Sequence, residues 1–289
     1  MRWVIYLFGS GVVFFLGAGF VLTALALFSG CRRQPWKVLA SLCVVMGLLL
    51  VGLSATPLPY WFYGIALTVT LVWVVAERHA DGWLFARRTL LRGVVVAVWA
   101  LAVLLELRYH LPTTLAANGH QTLYIIGDSV TAGMGGEKQT WPRLLADSHP
   151  VQVVDFSKMG ATTASALRQA EGLPPEGGLI LLEIGGNDLL GSTTAEDFER
   201  DLDRLLERVC GRGRVVLMFE LPLPPFCNEY GRAQRQLASR YGVVLIPKRV
   251  FVGVLTGEGA TLDSVHLDRQ GHERMAEVVW GVIGPAYRE

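Results

Sequence analysis

Charge is scarce in this sequence. Of 289 residues only 18% are Asp, Glu, Lys or Arg, against about a quarter in a soluble domain, while 52% are hydrophobic. The shortage is local. Residues 1–118 hold nine Lys and Arg but three acids, net +6, which leaves 17 basic and 22 acidic residues, net −5, for the rest. An acidic C-terminal part excludes nucleic acid as a partner, because phosphate binding needs a basic face. Cysteine is also scarce. Cys31, Cys43, Cys210 and Cys227 form no CxxC or Cys/His cluster, which argues against a metal site. Cys210 and Cys227 bracket an apparent strand over residues 215–220. That strand separates them by more than the ~7 Å a disulfide spans, so both thiols are expected free. There is no internal repeat and no low-complexity tract, and nothing calls for a cofactor.

What the first part does have is long apolar runs. A hydrocarbon core of ~30 Å takes roughly 20 apolar residues in a helix. Four runs qualify as spans: residues 3–30, 38–55, 60–76 and 90–107. Arg92 and Glu106, near the ends of the fourth, are expected to snorkel to the headgroups. Tyr60, Trp61 and Tyr63 sit where an interfacial aromatic belt belongs. The loops after spans one and three carry Arg32, Arg33, Lys37, Arg78, Arg87, Arg88 and Arg92, against Arg2 and Arg108 on the other side. Seven against two places those loops in the cytoplasm of a bacterial inner membrane and the C-terminal domain outside it, in the periplasm. Phe28-Ser29-Gly30-Cys31 has the look of a lipidation box, but two arginines follow it and the apolar run is too long for a signal peptide. Ala24-Leu25-Ala26 lies inside the same run and is not expected to be cleaved. Gly9, Gly11, Gly17 and Gly19 could form a helix-packing face.

A turn-rich linker, residues 112–120, precedes a domain over residues 121–289. Apolar strand-like runs recur there at 122–126, 151–156, 179–184, 215–220 and 243–247. Between them lie amphipathic stretches. Phe198, Leu202, Leu205, Leu206 and Val209 recur at helical spacing behind Thr194 as a cap, and Asp268 caps a last helix carrying Met275, Val278, Val279 and Val282. Strands alternating with helices predict an α/β fold with a parallel sheet of about five strands, covered on both faces. Sites in such sheets form at the carboxyl ends of the strands.

Gly127-Asp128-Ser129 with Thr131-Ala132-Gly133 follows the first of these strands, and Asp263-Ser264-Val265-His266 lies near the C-terminus. A serine hydroxyl is a poor nucleophile unless a base takes its proton as it attacks. His266, with an ordinary pKa of ~6.5, is suited to that role, and Asp263 to holding its tautomer. These residue types in this order predict a serine hydrolase. Asp128 and Asp188 are expected to cap turns, and His149 and His272 to lie on the surface. Glu183 and Glu220 fall within strands, where a buried carboxylate requires partners.

With Gly160-Ala161-Thr162 and Gly185-Gly186-Asn187-Asp188 added, the chain from Leu123 to its end resembles the SGNH (GDSL-type) serine hydrolases, in their thioesterase, lysophospholipase and arylesterase branch. Trp141-Pro142 also looks like part of the first block. Asp155 and Ser157 depart from the asparagine and glycine frequent there. The resemblance implies a three-layer α/β/α, flavodoxin-like domain with Ser129, Asp263 and His266 as catalytic residues. It also implies an oxyanion hole made by the Ser129 and Gly160 backbone N–H groups and the Asn187 side-chain amide, with no metal. The small residue at 160 is expected to allow close backbone approach. Nothing in the resemblance covers the apolar half.

Leu189, Leu190, Leu223, Phe226 and Val265 lie near strand ends or beside His266 and are expected to line an acyl groove. A domain tethered at a bilayer then points to an ester or thioester of a lipid, or to an acylated envelope glycan. The alternatives are an O-acetylesterase, deacylase or acyltransferase on such a glycan. From another class comes a non-catalytic sensor or scaffold.

Overall fold

In the computed structural model the described residues are 2–30, 34–78, 83–116, 122–135, 139–211, 213–263 and 265–287. Cys31, Arg32, Arg33, the end of the linker and Ser264 lie outside them. The chain forms two compact units, one of Met1–Ser10, Leu111–Pro222 and Glu229–Glu289, the other of Gly11–His110 and Leu223–Asn228.

The helical unit is built from α2 (Val12–Gly30), α3 (Gln34–Leu53), α4 (Tyr60–Arg78), the single turn α5 (Trp83–Ala86) and α6 (Arg88–Leu107). Four of these helices are long and apolar enough to cross a membrane. The run over residues 3–30 is not one span. It is divided into α1 (Arg2–Gly9) and α2 by Gly11, whose φ of 80° leaves the helical region. At 1.5 Å per residue the undivided run would reach roughly 42 Å, well beyond a ~30 Å core. The surplus folds off as α1, with Gly9 against Val252 and Pro222 in the other unit's own core. Of the four glycines only Gly17 serves helix packing between spans. A Cβ there would stand 2.7 Å from the Gly47 carbonyl oxygen, and one at Gly47 would stand 2.7 Å from that of Gly17. The absent side chains let α2 and α3 approach backbone to backbone. Glu106 does not snorkel. Arg92 Nη2 donates to Glu77 Oε2 at 2.9 Å, and Glu106 is fully buried, 3.5 Å from His110 Nε2. Inside a helix bundle a partner offsets the desolvation that water would otherwise have relieved.

The other unit is a five-stranded parallel sheet in the order β2-β1-β3-β4-β5, with β1 at Thr122–Gly127, β2 at Gln152–Asp155, β3 at Leu179–Glu183, β4 at Val215–Phe219 and β5 at Val244–Ile246. β3, central, is buried at every residue, as a strand covered on both faces must be, and that explains its unbroken apolar run. Among the described residues six helices lie between the strands, α7 (Ser129–Ala132), α8 (Trp141–Ser148), α9 (Thr163–Gln169), α10 (Gly186–Leu190), α11 (Ala195–Val209) and α12 (Asn228–Tyr241), and two follow β5, α13 (Lys248–Leu255) and α14 (Arg269–Ile283). Thr194 and Asp268 cap α11 and α14 as the sequence predicts, accepting from Asp197 N and Gly271 N. The apolar stripe of α11 is buried throughout. This strand order has its switch point between β1 and β3, where ligands of doubly wound sheets bind.

Gly17→Leu is expected to force α2 and α3 apart and cost about 1–3 kcal/mol as an overpacking change. Gly19→Leu, facing open space, should leave the thermal midpoint of the detergent-solubilised protein unchanged. Equal midpoints for the two variants would refute this packing account.

Candidate active site

β1 ends at Gly127, a position closed to any side chain because a Cβ would meet Thr131 Oγ1 at 2.7 Å. Gln169 grips its peptide on both sides, accepting from Gly127 N and donating to Gly127 O, each at 3.1 Å. Asp128 follows as the cap of α7, its Oδ1 accepting from Val130 N at 3.0 Å. That turn sets Ser129, only 7% exposed, at the first residue of α7. Backbone N–H groups in a first helical turn have no partner within the helix.

β3 delivers the second group. After Glu183 the chain turns at Gly185, whose φ of 109° only glycine adopts freely, and α10 carries Asn187. Asn187 Nδ2 donates to Ala161 O at 2.9 Å and to Asp128 Oδ2 at 3.3 Å. One amide therefore ties together the loops after β1, β2 and β3. Asp188, next in sequence, binds Thr163 N and Oγ1 at 2.9 and 2.8 Å and locks the start of α9 to α10. Asp128 and Asp188 thus both serve turns and helix starts. Gly160 has φ 72°, but a Cβ there would meet nothing within 4 Å. Its requirement is the left-handed backbone, and crowding within the protein plays no part.

Beneath Ser129 lies a pair of buried carboxyls. Burial raises the pKa of Asp128, and burial together with the neighbouring Asp128 charge raises that of Glu183 well above the carboxylate range. Glu183 keeps its proton and donates it to Asp128, while Thr131 Oγ1 donates to Glu183 Oε2 at 2.8 Å. Glu220 is likewise buried and bound by Arg235 Nε at 2.6 Å and Lys248 N at 3.3 Å. These partners lie on α12 and α13, beyond the reach of a local reading.

The histidine arrives on a loop pinned by a bridge between Thr261 and Leu267 and by Leu262 N donating to His266 O at 2.8 Å. Asp263 Oδ1 accepts from Val265 N and His266 N at 3.1 and 2.9 Å, and its Oδ2 lies 2.7 Å from His266 Nδ1. These bonds, first the His266 N–H and then its ring, hold the Asp263 carboxyl at about 2. With Nδ1 committed to Asp263, the other ring nitrogen is left to accept a proton.

Of the expected groove residues, Leu189 and Leu190 lie on α10 and Val265 beside His266, whereas Leu223 and Phe226 belong to the helical unit. Leu223 is buried, and Leu190 and Phe226 are largely exposed. His272 is not on the surface. It is buried and its Nδ1 accepts from Trp141 N at 3.2 Å, while His149 is half-buried and stacks on Trp280. Gln169 left no mark in the sequence, since one glutamine in an amphipathic helix reads as surface. No group of three or more His, Cys, Asp or Glu able to hold a metal occurs among the described residues.

Three known proteins are similar to this chain. An esterase, TesA, of Pseudomonas aeruginosa is 28% identical over 180 residues, 57% of this chain and 89% of that protein. A thioesterase 1/protease 1/lysophospholipase L1 of Escherichia coli is 28% identical over 189 residues, 59% and 89% of the two chains. An arylesterase of Vibrio mimicus is 30% identical over 180 residues, 57% and 88%. Residues 125–274 match the family described as GDSL-like Lipase/Acylhydrolase.

The raised carboxyls set a sign. Glu183 holds its proton in the folded state after the unfolded chain has lost it near 4.5, so stability falls as pH rises from there toward the folded value. Glu183→Gln keeps a donor for Asp128 and an acceptor for Thr131 and should flatten that fall. Asp263 acts oppositely: its contribution is present above about 3.8 and lost as pH drops toward about 2. Thermal midpoints of both proteins across the acid-to-neutral range test this. A wild-type slope retained in the variant would refute the shared-proton pair.

Proposed function

Because the chain belongs to the GDSL-like lipase/acylhydrolase family, we propose that it is a membrane-anchored serine esterase acting through an acyl-serine intermediate on acyl esters or thioesters of lipids. The observation that carries this reading is the Asp263–His266 pair, fixed at 2.7 Å, together with a buried Ser129 at the first residue of α7. Ser129 Oγ attacks the acyl carbonyl while His266 takes its proton; the imidazolium formed is stabilised by Asp263. The carbonyl π electrons move onto oxygen, which the N–H groups of Ser129 and Gly160 and the Asn187 amide receive. Asn187 must turn its longer bond, the 3.3 Å one to Asp128, toward that oxygen. Collapse expels the alcohol or thiol, which takes the proton from His266. Water, deprotonated by the same imidazole, then releases the acid and restores Ser129.

Four apolar helices support anchoring, and the Lys and Arg distribution supports a catalytic domain on the periplasmic face of an inner membrane. A cysteine placed in an exposed loop of the hydrolase unit should react with an impermeant reagent in intact cells; protection would put the domain in the cytoplasm.

A fluorophosphonate should label Ser129, and Ser129→Ala or His266→Ala should abolish ester hydrolysis. Asn187→Ala is expected to lower kcat by about 10²–10³. Labelling elsewhere, or full turnover without Ser129, overturns the assignment. A series of acyl esters distinguishes the substrate: an optimum at long chains fits lipids, and one at acetyl fits removal of short acyl groups from an envelope glycan.

A further inference from the structure

Exposed apolar side chains are not scattered over the hydrolase unit. Beyond α1 it exposes seven large ones among the described residues, and only Leu111 and Val154 lie away from the site. The other five, Met134, Met159, Leu190, Leu262 and Val265, each fall within five residues of Ser129, Gly160, Asn187, Asp263 or His266. A lone exposed leucine needs no explanation. Five gathered on the segments that carry the reacting groups do, since apolar surface left in water forgoes about 25 cal/mol per Å². Met134, Met159 and Leu190 follow β1, β2 and β3, whose loops the Asn187 amide already joins. Leu262 and Val265 flank the Asp263–His266 pair.

The helix α1 extends this surface. Its Arg2 and Ile5 line a pocket of about 370 Å³ together with Leu262 and Asp263, so it stands beside the loop that carries the histidine. Gly9 meets Val252 of α13, while Trp3, Val4 and Ile5 are left exposed. A short helix held to a protein at one end and showing tryptophan and branched aliphatic side chains at the other suits a lipid headgroup layer. The chain itself supplies that layer. Two junctions between the units, Ser10–Gly11 and His110–Leu111, adjoin helices long and apolar enough to cross a membrane, Val12–Ser29 and Arg88–His110. Only Ser10 and Gly11 separate α1 from the first of them, and four crossings return the chain to the face on which it started.

We propose that the apolar rim of the active site and α1 form one lipid-docking surface, which seats the hydrolase unit on the bilayer. The partner is the headgroup layer, into which such side chains sink by roughly 5–10 Å. The ester bond of a lipid then reaches Ser129 without the lipid leaving its leaflet. The proposal rests on the membrane-anchored esterase reading above and makes contact with the membrane surface the element that selects lipid esters over soluble ones.

The test uses the full chain in nanodiscs of a diether phosphatidylethanolamine, which holds no carboxylic ester. The photoreactive residue p-benzoylphenylalanine replaces Trp3, Met159, Leu262 or, as control, Glu207. Glu207 is exposed in the last turn of α11, which runs back from the end of β3 toward the start of β4 and so away from the site. Lipid crosslinks are expected at the first three positions and not at Glu207. Met134→Gln combined with Met159→Gln keeps the shape of the rim but not its apolarity. It should lower kcat/KM for lysophosphatidylethanolamine in the disc about tenfold, with turnover of p-nitrophenyl acetate in water unchanged. Where that pair also loses acetate turnover, Trp3→Ala, outside the catalytic loops, is read by the same criteria. Lipid crosslinks at one position only, crosslinks as strong at Glu207, or crosslinks between two copies of the chain in place of lipid overturn the proposal. So does an undiminished rate on lysophosphatidylethanolamine in the variants. Failure of the fluorophosphonate to label Ser129 in the wild type would instead overturn the esterase reading, and a chain soluble without detergent or lipid would overturn the anchoring.

Discussion

Two buried carboxyls in contact, Asp128 and Glu183, organise the hydrolase unit, and burial keeps the proton on Glu183. With it, Asp128 is a carboxylate that accepts from Val130 N and Asn187 Nδ2 and so fixes both the start of α7 and the amide on α10. Without it, two negative charges would stand side by side in a site closed to water, which costs several kcal/mol. The ends of β1 and β3 meet through this contact, at the point where the sheet reverses its winding order. Ser129 inherits its position from that junction, and Asn187 its orientation. Asp263 makes the opposite use of charge. It is exposed, ionised and held low by three hydrogen bonds, so that the imidazole faces a fixed negative group, while at the buried floor of the site Glu183 is held neutral beside Asp128.

What the sequence discloses follows from the range of the interaction involved. All five strands were legible to within a residue or two, most plainly β3, because a strand buried on both faces imposes an unbroken apolar run. Helix caps were legible for a similar reason: Thr194 and Asp268 act on residues three positions away. Ser129, Asn187, Asp263 and His266 stood out through short motifs. What bound those motifs together did not. Gln169 reaches Gly127 across forty residues, Arg235 reaches Glu220 across the end of β4, and His272 is buried against a residue on another helix. Such partners are chosen by tertiary packing, and no local pattern signals them. The break at Gly11 was hidden differently. Glycine is common in membrane helices, and only the excess length of the run argued for a division.

The two units differ in how they handle polar groups. The hydrolase unit buries carboxyls beside donors drawn from several loops. The helical unit pairs Arg92 with Glu77 and Glu106 with His110, and otherwise satisfies hydroxyls on its own backbone, as Thr70 does on Ala66. In the apolar interior of such a bundle a polar side chain finds its partner within a turn or on the next helix. Asn228 follows the same rule from outside the bundle's own segment, bonding the Thr56 carbonyl in the α3–α4 turn.

The packing of Gly9 against Val252 has a consequence for biosynthesis. α1 is made well before α13, the helix it packs on. At roughly 5–20 residues per second the delay is some tens of seconds. Through that interval α1 lacks the partner that its Gly9 will meet, and its exposed Trp3, Val4 and Ile5 suit it to wait in a lipid headgroup layer. The contact between α1 and α13 would then close late, after the segments of both units between them have been made.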